Sequence, residues 1–482
     1  MENLDKLIYE LIKLENETPW LELKHNNYTP NMIGEDISAL ANSAALYEKS
    51  YAYMIWGIHD KTHEIIGTND NLQSIKKGDQ ELENWLRSLL SKNADFEFHT
   101  TTIENKKVGI LIIGRATNHT VSFQKTDYIR IGSYTKKLQE FPSLQSQLWD
   151  RIRNSKFEER FAKQDLDFSE ALNYLDYSAY FDIIGLPIPT DINSVLHYMM
   201  EEGIICKQDN GLFSITNMGA LLLSKRLSEF PKLSRKAVRV VQYQDNSRLN
   251  MLKEDTGSKG YIVGFEGLIH FIKALVPTQE LIKESLREEI AAYPILAIRE
   301  AVANALIHQD FSVSGTGPTI EIFSNRIEIT NSGTPLIDIK RIIDNPPKSR
   351  NEKLAALMRR LKICEELGTG WDKIVLTCEM QQLPAPKIDL YENSTKVTLY
   401  TEIPFSQISS EDKVWACYLH ACIKFVQGEQ ITNSSLRNRF GLKPSSSGSI
   451  SRLIKETIEQ KLIKPLDPDT APKHMKYIPF WA

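Results

Sequence analysis

Apolar positions along the chain change period repeatedly, from helical spacing to strand alternation and back, which predicts a multidomain α+β protein. Leu4, Leu7, Ile8, Leu11 and Ile12 share one side of a helix reaching Leu14. Leu21 and Leu23 then alternate with Glu22 and Lys24, so both charged residues point to one face of a strand. Ile33, Ile37, Leu40 and Ala41 mark a second helix. Tyr51–Asp60, Lys107–Ile113 and Tyr128–Ser133 read as strands, and Leu148–Phe161 as a helical connector. Further on, the pattern predicts a helix from Asp191 to Gly203, a hairpin turning at Asn210-Gly211, and a helix capped by Thr216 or Asn217. A strand at Val238–Tyr243 and a helix at Phe265–Leu275 complete this middle region.

The segment from Pro294 to Asp310 organises the rest. Ile295, Ile298, Val302, Ala305 and Leu306 form an apolar helical face, with Pro294 suited to the first turn. Glu300, Asn304 and His308 are each four apart and project from one strip. On an ordinary solvated helix such a strip means nothing. Beside a nucleotide, an Asn oxygen ligates magnesium, and a Glu orients or deprotonates water. The downstream sequence favours the second reading. Thr319–Gly333 reads as two strands turning at Ser324-Asn325 and ending in Asn331-Ser332-Gly333. A polar segment with Arg350 leads to a helix from Glu352, then Gly368-Thr369-Gly370 opens another, presenting backbone N–H groups suited to phosphate.

This order of motifs resembles the ATP-binding fold shared by gyrase, heat-shock chaperones and histidine kinases. It is closest to a divergent branch patterned Arg-Glu-Ala-x-x-Asn-Ala-x-x-His-x-Asp, which Arg299–Asp310 matches at every fixed position. The resemblance covers about 290–405. It implies Asn304 on magnesium, Glu300 as candidate base and Asn331 near adenine. His308, Asp310, Gly333, Arg350, Gly368 and Gly370 complete the expected ATP site.

Near the N-terminus, Glu17, Glu22 and Asp60 flank strands, as surface acids commonly do; converging carboxylates also hold divalent cations for phosphodiester hydrolysis. The set Glu17-x-x-x-x-Glu22-x-Lys24, Ala41-Asn42, Trp56-Gly57-Ile58-His59-Asp60 and Tyr128-Ile-Arg130-Ile-Gly132-Ser133 resembles the Schlafen-type, AlbA-like domain over about 1–145. In Schlafen ribonucleases three acids form the metal centre. The resemblance puts Glu17, Glu22 and Asp60 in those places, holding magnesium or manganese, with Lys24 and Arg130 on phosphate.

The last 77 residues predict helix, helix, helix and wing: a helix behind Ser409, a short one from Thr432 or Asn433, a third over Ser447–Leu462 and strands within Ile463–Ile478. Arg437, Arg439, Arg452 and Lys455 would meet nucleic acid, although winged helices also serve as docking domains. Lys225, Arg226, Lys232, Arg235, Lys236 and Arg239 form another basic cluster, suited to phosphate or simply solvated.

Composition refines this picture. The chain has 482 residues, 41% hydrophobic and 25% charged, with a net charge of −4, so any nucleic-acid surface must be local. Five scattered cysteines without Cys-x-x-Cys argue for reduced thiols, and hence a cytoplasmic setting, and against zinc. No apolar run has the length of about 18 residues that a membrane span needs. The expected domains are a Schlafen-type α/β domain at 1–147, a helical connector with a winged-helix-like module at 148–288, an α/β-sandwich ATP-binding domain at 289–405 and a winged helix-turn-helix at 406–482. The expected function is an ATP-gated, metal-dependent nuclease, homo-oligomeric, acting on RNA rather than DNA, in stress or anti-phage defence. The rival is a non-catalytic, ATP-responsive DNA-binding regulator.

Overall fold

The structure, a computed structural model, describes the chain except residues 1–3, 15–17, 27–28, 61, 70–74, 118, 155, 209–210, 284–285 and 365–369. Two units emerge: residues 1–168 with 205–216, and 169–204 with 217–482. Among the described residues no helix is long and apolar enough to cross a membrane.

In the first unit a four-stranded sheet runs in the order Leu21–Lys24, Tyr51–Trp56, Lys106–Gly114, Phe96–Ile103. The first pair is parallel, with Glu22 opposite Met54 and Lys24 opposite Trp56; the other pairs are antiparallel. The strand expected to reach Asp60 ends at Trp56, where Gly57 turns to φ +91°. Helix Pro30–Leu46 lays Ile33, Ile37, Leu40 and Ala44 into the core. Three of its polar residues are fully buried as well, because each serves a neighbouring backbone. Ser38 Oγ donates to Val121 O and accepts from Tyr128 N. Asn42 donates to Val121 O and Tyr128 O and accepts from Val121 N. Ser43 Oγ accepts from Arg130 N. The helix thereby stitches strand Thr126–Ile131 in place and sets the position of Arg130.

The connector helix spans Pro142–Asn154 rather than Leu148–Phe161. Pro142 pre-sets the first helical φ, whereas Phe161 joins strand Phe161–Leu166, paired antiparallel with Phe213–Thr216. Helix Ile192–Glu201 is capped by Asp191, and strand Ile205–Lys207 pairs with Phe213–Thr216. Asn210, half of the expected turn, lies outside the described residues.

The second unit holds a six-stranded sheet in the order Met251–Thr256, Arg239–Tyr243, Thr319–Ile322, Arg326–Ser332, Ser394–Tyr400, Lys387–Tyr391. Only Arg239–Tyr243 and Thr319–Ile322 run parallel. The sheet therefore recruits strands well before residue 289. Helices Tyr261–Leu275, Ile295–Ile307 and Gly370–Met380 carry buried apolar faces, and Ile295–Ile307 packs on the other two. At the C-terminus, helices Ser410–Val426, Asn433–Arg439 and Ser447–Glu459 precede a two-stranded ladder of Ile463–Pro465 with Tyr477–Pro479. Ser409 caps the first helix, and Thr432 forms a capping box on the second.

Candidate functional site

Helix Ile295–Ile307 buries Ile298, Val302, Ala305 and Leu306, which turns Glu300, Asn304 and the C-cap His308 along another strip. That strip forms one wall of a cleft of about 380 Å³. Asn331, Arg350 and Gly370 line the same cleft, so six of the nine predicted residues, from four separate segments, converge. Glu300 is buried at 4% exposure. A Cβ built on Gly370 would stand 3.0 Å from Glu300 Oε2 and within 3.8 Å of both polar atoms of the Asn304 amide, so the start of helix Gly370–Met380 abuts both. Gly368 lies outside the described residues.

The helix end is closed by Arg350 and Asn351. Asn351 Nδ2 donates to Ile307 O and Gln309 O, both at 2.8 Å, and Arg350 Nη1 donates to His308 O at 3.2 Å. The carbonyls that a helix leaves unpaired thus find donors 42 to 44 residues later in the chain. Arg350 Nη2 also donates to Thr334 O, tying this wall to the next. Burial, helped by the Arg350 charge, pushes the His308 imidazole down to about 4, so it is neutral at pH 7.

Asp310 and Gly333 support the site from behind rather than lining it. Asp310 N donates to Ser332 O, and Ser332 Oγ donates back to Asp310 O. Burial raises the Asp310 carboxyl, but hydrogen bonds from Ser312 and the charges of Arg350 and Lys236 outweigh it and hold the carboxyl below its usual range. Gly333 takes φ +93°, and a Cβ there would meet Arg350 Nη1 at 2.7 Å and Asp310 Cβ at 2.9 Å. Asn331 is buried, with Nδ2 donating to Ser332 O at 2.9 Å.

Lys348, Arg359, Trp371 and Thr395 also line the cleft and were not singled out from sequence. Lys348 stands in the polar stretch and Arg359 in the last turn of helix Glu352–Arg360, and their charge was the one signal that was available. Trp371 is 5% exposed, and among the described residues its indole N–H has no acceptor.

In the first unit, Glu22 is buried and engaged at both oxygens: Lys24 Nζ donates to Oε1 at 2.8 Å and Arg130 Nη2 to Oε2. Asp36, also buried, stands 3.5 Å from Lys24 Nζ and 3.9 Å from Arg130 Nη1, and accepts from Thr135 Oγ1. Two acids thus face two cations. Arg130 is 3% exposed, so in this arrangement it spends its charge on Glu22 and Asp36 and not at the surface. Asp60 is exposed, just past the end of strand Tyr51–Trp56. Glu17 lies outside the described residues. Among the described residues no group of three His, Cys, Asp or Glu side chains is placed to hold a metal ion.

The predicted basic residues divide. Arg452 and Lys455 are exposed, Lys455 3.8 Å from Glu459, and Arg437 donates to Asn433 Oδ1. Arg439 is instead buried, its Nε 3.2 Å from Glu379 Oε1, and Glu379 Oε2 lies 2.9 Å from His420 Nδ1. Its guanidinium joins the C-terminal helices to helix Gly370–Met380 and is not available to a groove. Lys236 likewise leaves the basic cluster, buried and donating to Val313 O.

Residues 17–139 match the family model described as "Schlafen, AlbA_2", and residues 315–399 the one described as "Putative ATP-dependent DNA helicase recG C-terminal". Two regions of the chain thus match family models, one of the Schlafen/AlbA_2 type and one ATPase-like. The second match contains Asn331, Gly333, Arg350 and Gly370 but begins after Glu300 and Asn304. Comparison with curated proteins produced no significant match. Among solved structures, the DIP2311 protein from Corynebacterium diphtheriae is similar at 15% identity, covering 99% of this chain and 98% of that one, with a TM-score of 0.43.

Proposed function

We propose that the chain is a nucleic-acid-acting protein that binds ATP with magnesium in the cleft between Asn304, Asn331, Arg350 and Gly370. The supporting observation is the meeting of Glu300, Asn304, Asn331, Arg350 and Gly370 on one cavity wide enough for a nucleotide. Asn331 Nδ2 is engaged by Ser332 O, which turns the acceptor Oδ1 the other way, where an adenine amino group can donate. The residues fit a magnesium ion: the Asn304 amide is a neutral oxygen donor beside the Gly370 backbone, and triphosphate oxygens complete such a shell. When bound, the ion neutralises phosphate charge. Glu300 is the group placed to orient water toward a terminal phosphate. Calorimetric titration with ATP and magnesium tests this reading. Saturable binding that Asn304→Ala weakens supports it, and no affinity for adenine nucleotides at any metal concentration overturns it.

The second reading makes the first unit a metal-dependent nuclease, RNA being the preferred substrate. Its support is the buried quartet of Glu22, Asp36, Lys24 and Arg130, because opposed charges held out of water are costly and suit a site that exchanges partners on binding a phosphate. Glu17, Glu22 and Asp60 would be the ligands of magnesium or manganese. The described residues do not fit a metal, since both Glu22 oxygens already accept from cations, so no step is routed through one. Incubating the protein with tRNA, single-stranded DNA and duplex DNA, with and without magnesium and ATP, separates the readings. Cleavage that Glu22→Ala abolishes supports the nuclease, and with it a cytoplasmic defence role. Duplex binding without cleavage supports a regulator acting through the C-terminal helices as a winged helix.

A further inference from the structure

Strand Met251–Thr256 is the outermost strand of the six-stranded sheet, and all six of its residues are exposed. An edge of this kind offers unpaired N–H and C=O groups to any strand that fits, and proteins ordinarily blunt it. Here no proline interrupts it, although its ladder shifts register once between Lys253 and Met251, and it carries exposed apolar side chains, Met251 at 54% and Leu252 at 59%. We propose that this edge pairs antiparallel with the same strand of a second copy of the chain.

The backbone says which groups are available. Gly257 N donates to Val238 O, so odd-numbered residues here turn their backbone toward strand Arg239–Tyr243. Between Lys253 and Gly257, Glu254 and Thr256 therefore point theirs outward; beyond Lys253 the ladder shifts register. A twofold axis through an outward pair must place residues of the same parity opposite each other. Centring it on Glu254 sets Leu252 against the partner's Thr256. It also sets Lys253 against the partner's Asp255, twice, in the closer non-hydrogen-bonded positions, where opposite charges attract. The two Glu254 side chains meet at the axis, but each is already paired with Arg239 of its own chain, Nε to Oε1 at 2.6 Å.

Charge and hydrogen bonding thus select one register, and the occupant is a copy of the same strand.

Sedimentation velocity over a concentration series tests the pairing, because every substituted residue is exposed and the fold is not at stake. The wild-type chain should show a reversible dimer. Lys253→Glu and Asp255→Lys should each weaken it about tenfold or more, since each turns two attractions into two repulsions. Combining the two swaps the signs and should restore the dimer. A monomer at all concentrations, a dimer indifferent to both single changes, or a double variant no better than the singles would overturn the proposal.

Discussion

The first residue of helix Gly370–Met380 approaches Glu300 so closely that a methyl group on Gly370 would stand 3.0 Å from the carboxylate Oε2. Nothing but glycine leaves the Glu300 and Asn304 heads open to the cleft. Gly370→Ala is expected to weaken magnesium–ATP binding by about tenfold, roughly 1.4 kcal/mol, without unfolding the domain. Titration calorimetry alongside a thermal melt reads both parts, and unchanged affinity would mean that nucleotide does not approach this corner.

Gly333 fails differently. Its φ of +93° disfavours any side chain, and Arg350 and Asp310 already crowd the space a Cβ would take. Gly333→Ala should cost about 2 kcal/mol or more of stability, from backbone strain and displacement of the Arg350 fork together. Urea denaturation measures it; a loss below about 0.5 kcal/mol would show that the turn relaxes freely.

His308 makes stability depend on pH. Burial holds its folded pKa at about 4, against 6.5 for the free side chain. Between those values the unfolded chain binds a proton that the folded chain refuses. The stabilisation is therefore complete above pH 6.5 and is lost progressively as pH falls toward 4, by up to about 3 kcal/mol. Denaturation midpoints across this window should flatten in His308→Gln; an equal slope in both proteins would place the titration elsewhere.

Asn42 joins helix Pro30–Leu46 to two backbone segments through three buried hydrogen bonds. Asn42→Ala strands those groups out of water, and a loss of about 2–4 kcal/mol follows. Because the same contacts hold strand Thr126–Ile131, hydrogen exchange at Arg130 should accelerate as well. Stability loss without that acceleration would argue for a purely local role.

Glu379 is the partner that keeps Arg439 from being an isolated buried charge; burial presses the guanidinium pKa downward and Glu379 opposes it. Glu379→Gln should cost about 3–5 kcal/mol, whereas Glu379→Leu with Arg439→Met, an apolar pair of similar volume, should recover most of it. A thermal melt of both variants decides this.

Much of this was legible from local pattern. The spacing of Glu300, Asn304 and His308 placed them on one strip, alternation put Glu22 and Lys24 on one sheet face, and Ser409 and Thr432 announced helix starts, since a helix or strand repeats within a few residues. Arg130 and Arg439 were read as surface cations and prove to be interior ones. Their partners, Glu22 and Glu379, lie far away along the chain, and no local period reports burial at such separation. The same holds for Lys348, Arg359, Trp371 and Thr395, brought to the cleft by four different segments. Periodicity and motif spacing decide which residues share a face because the backbone geometry is local. Which faces then meet, which charges are buried, and which strand is left at the edge depend on packing between distant segments, and only the folded chain decides them.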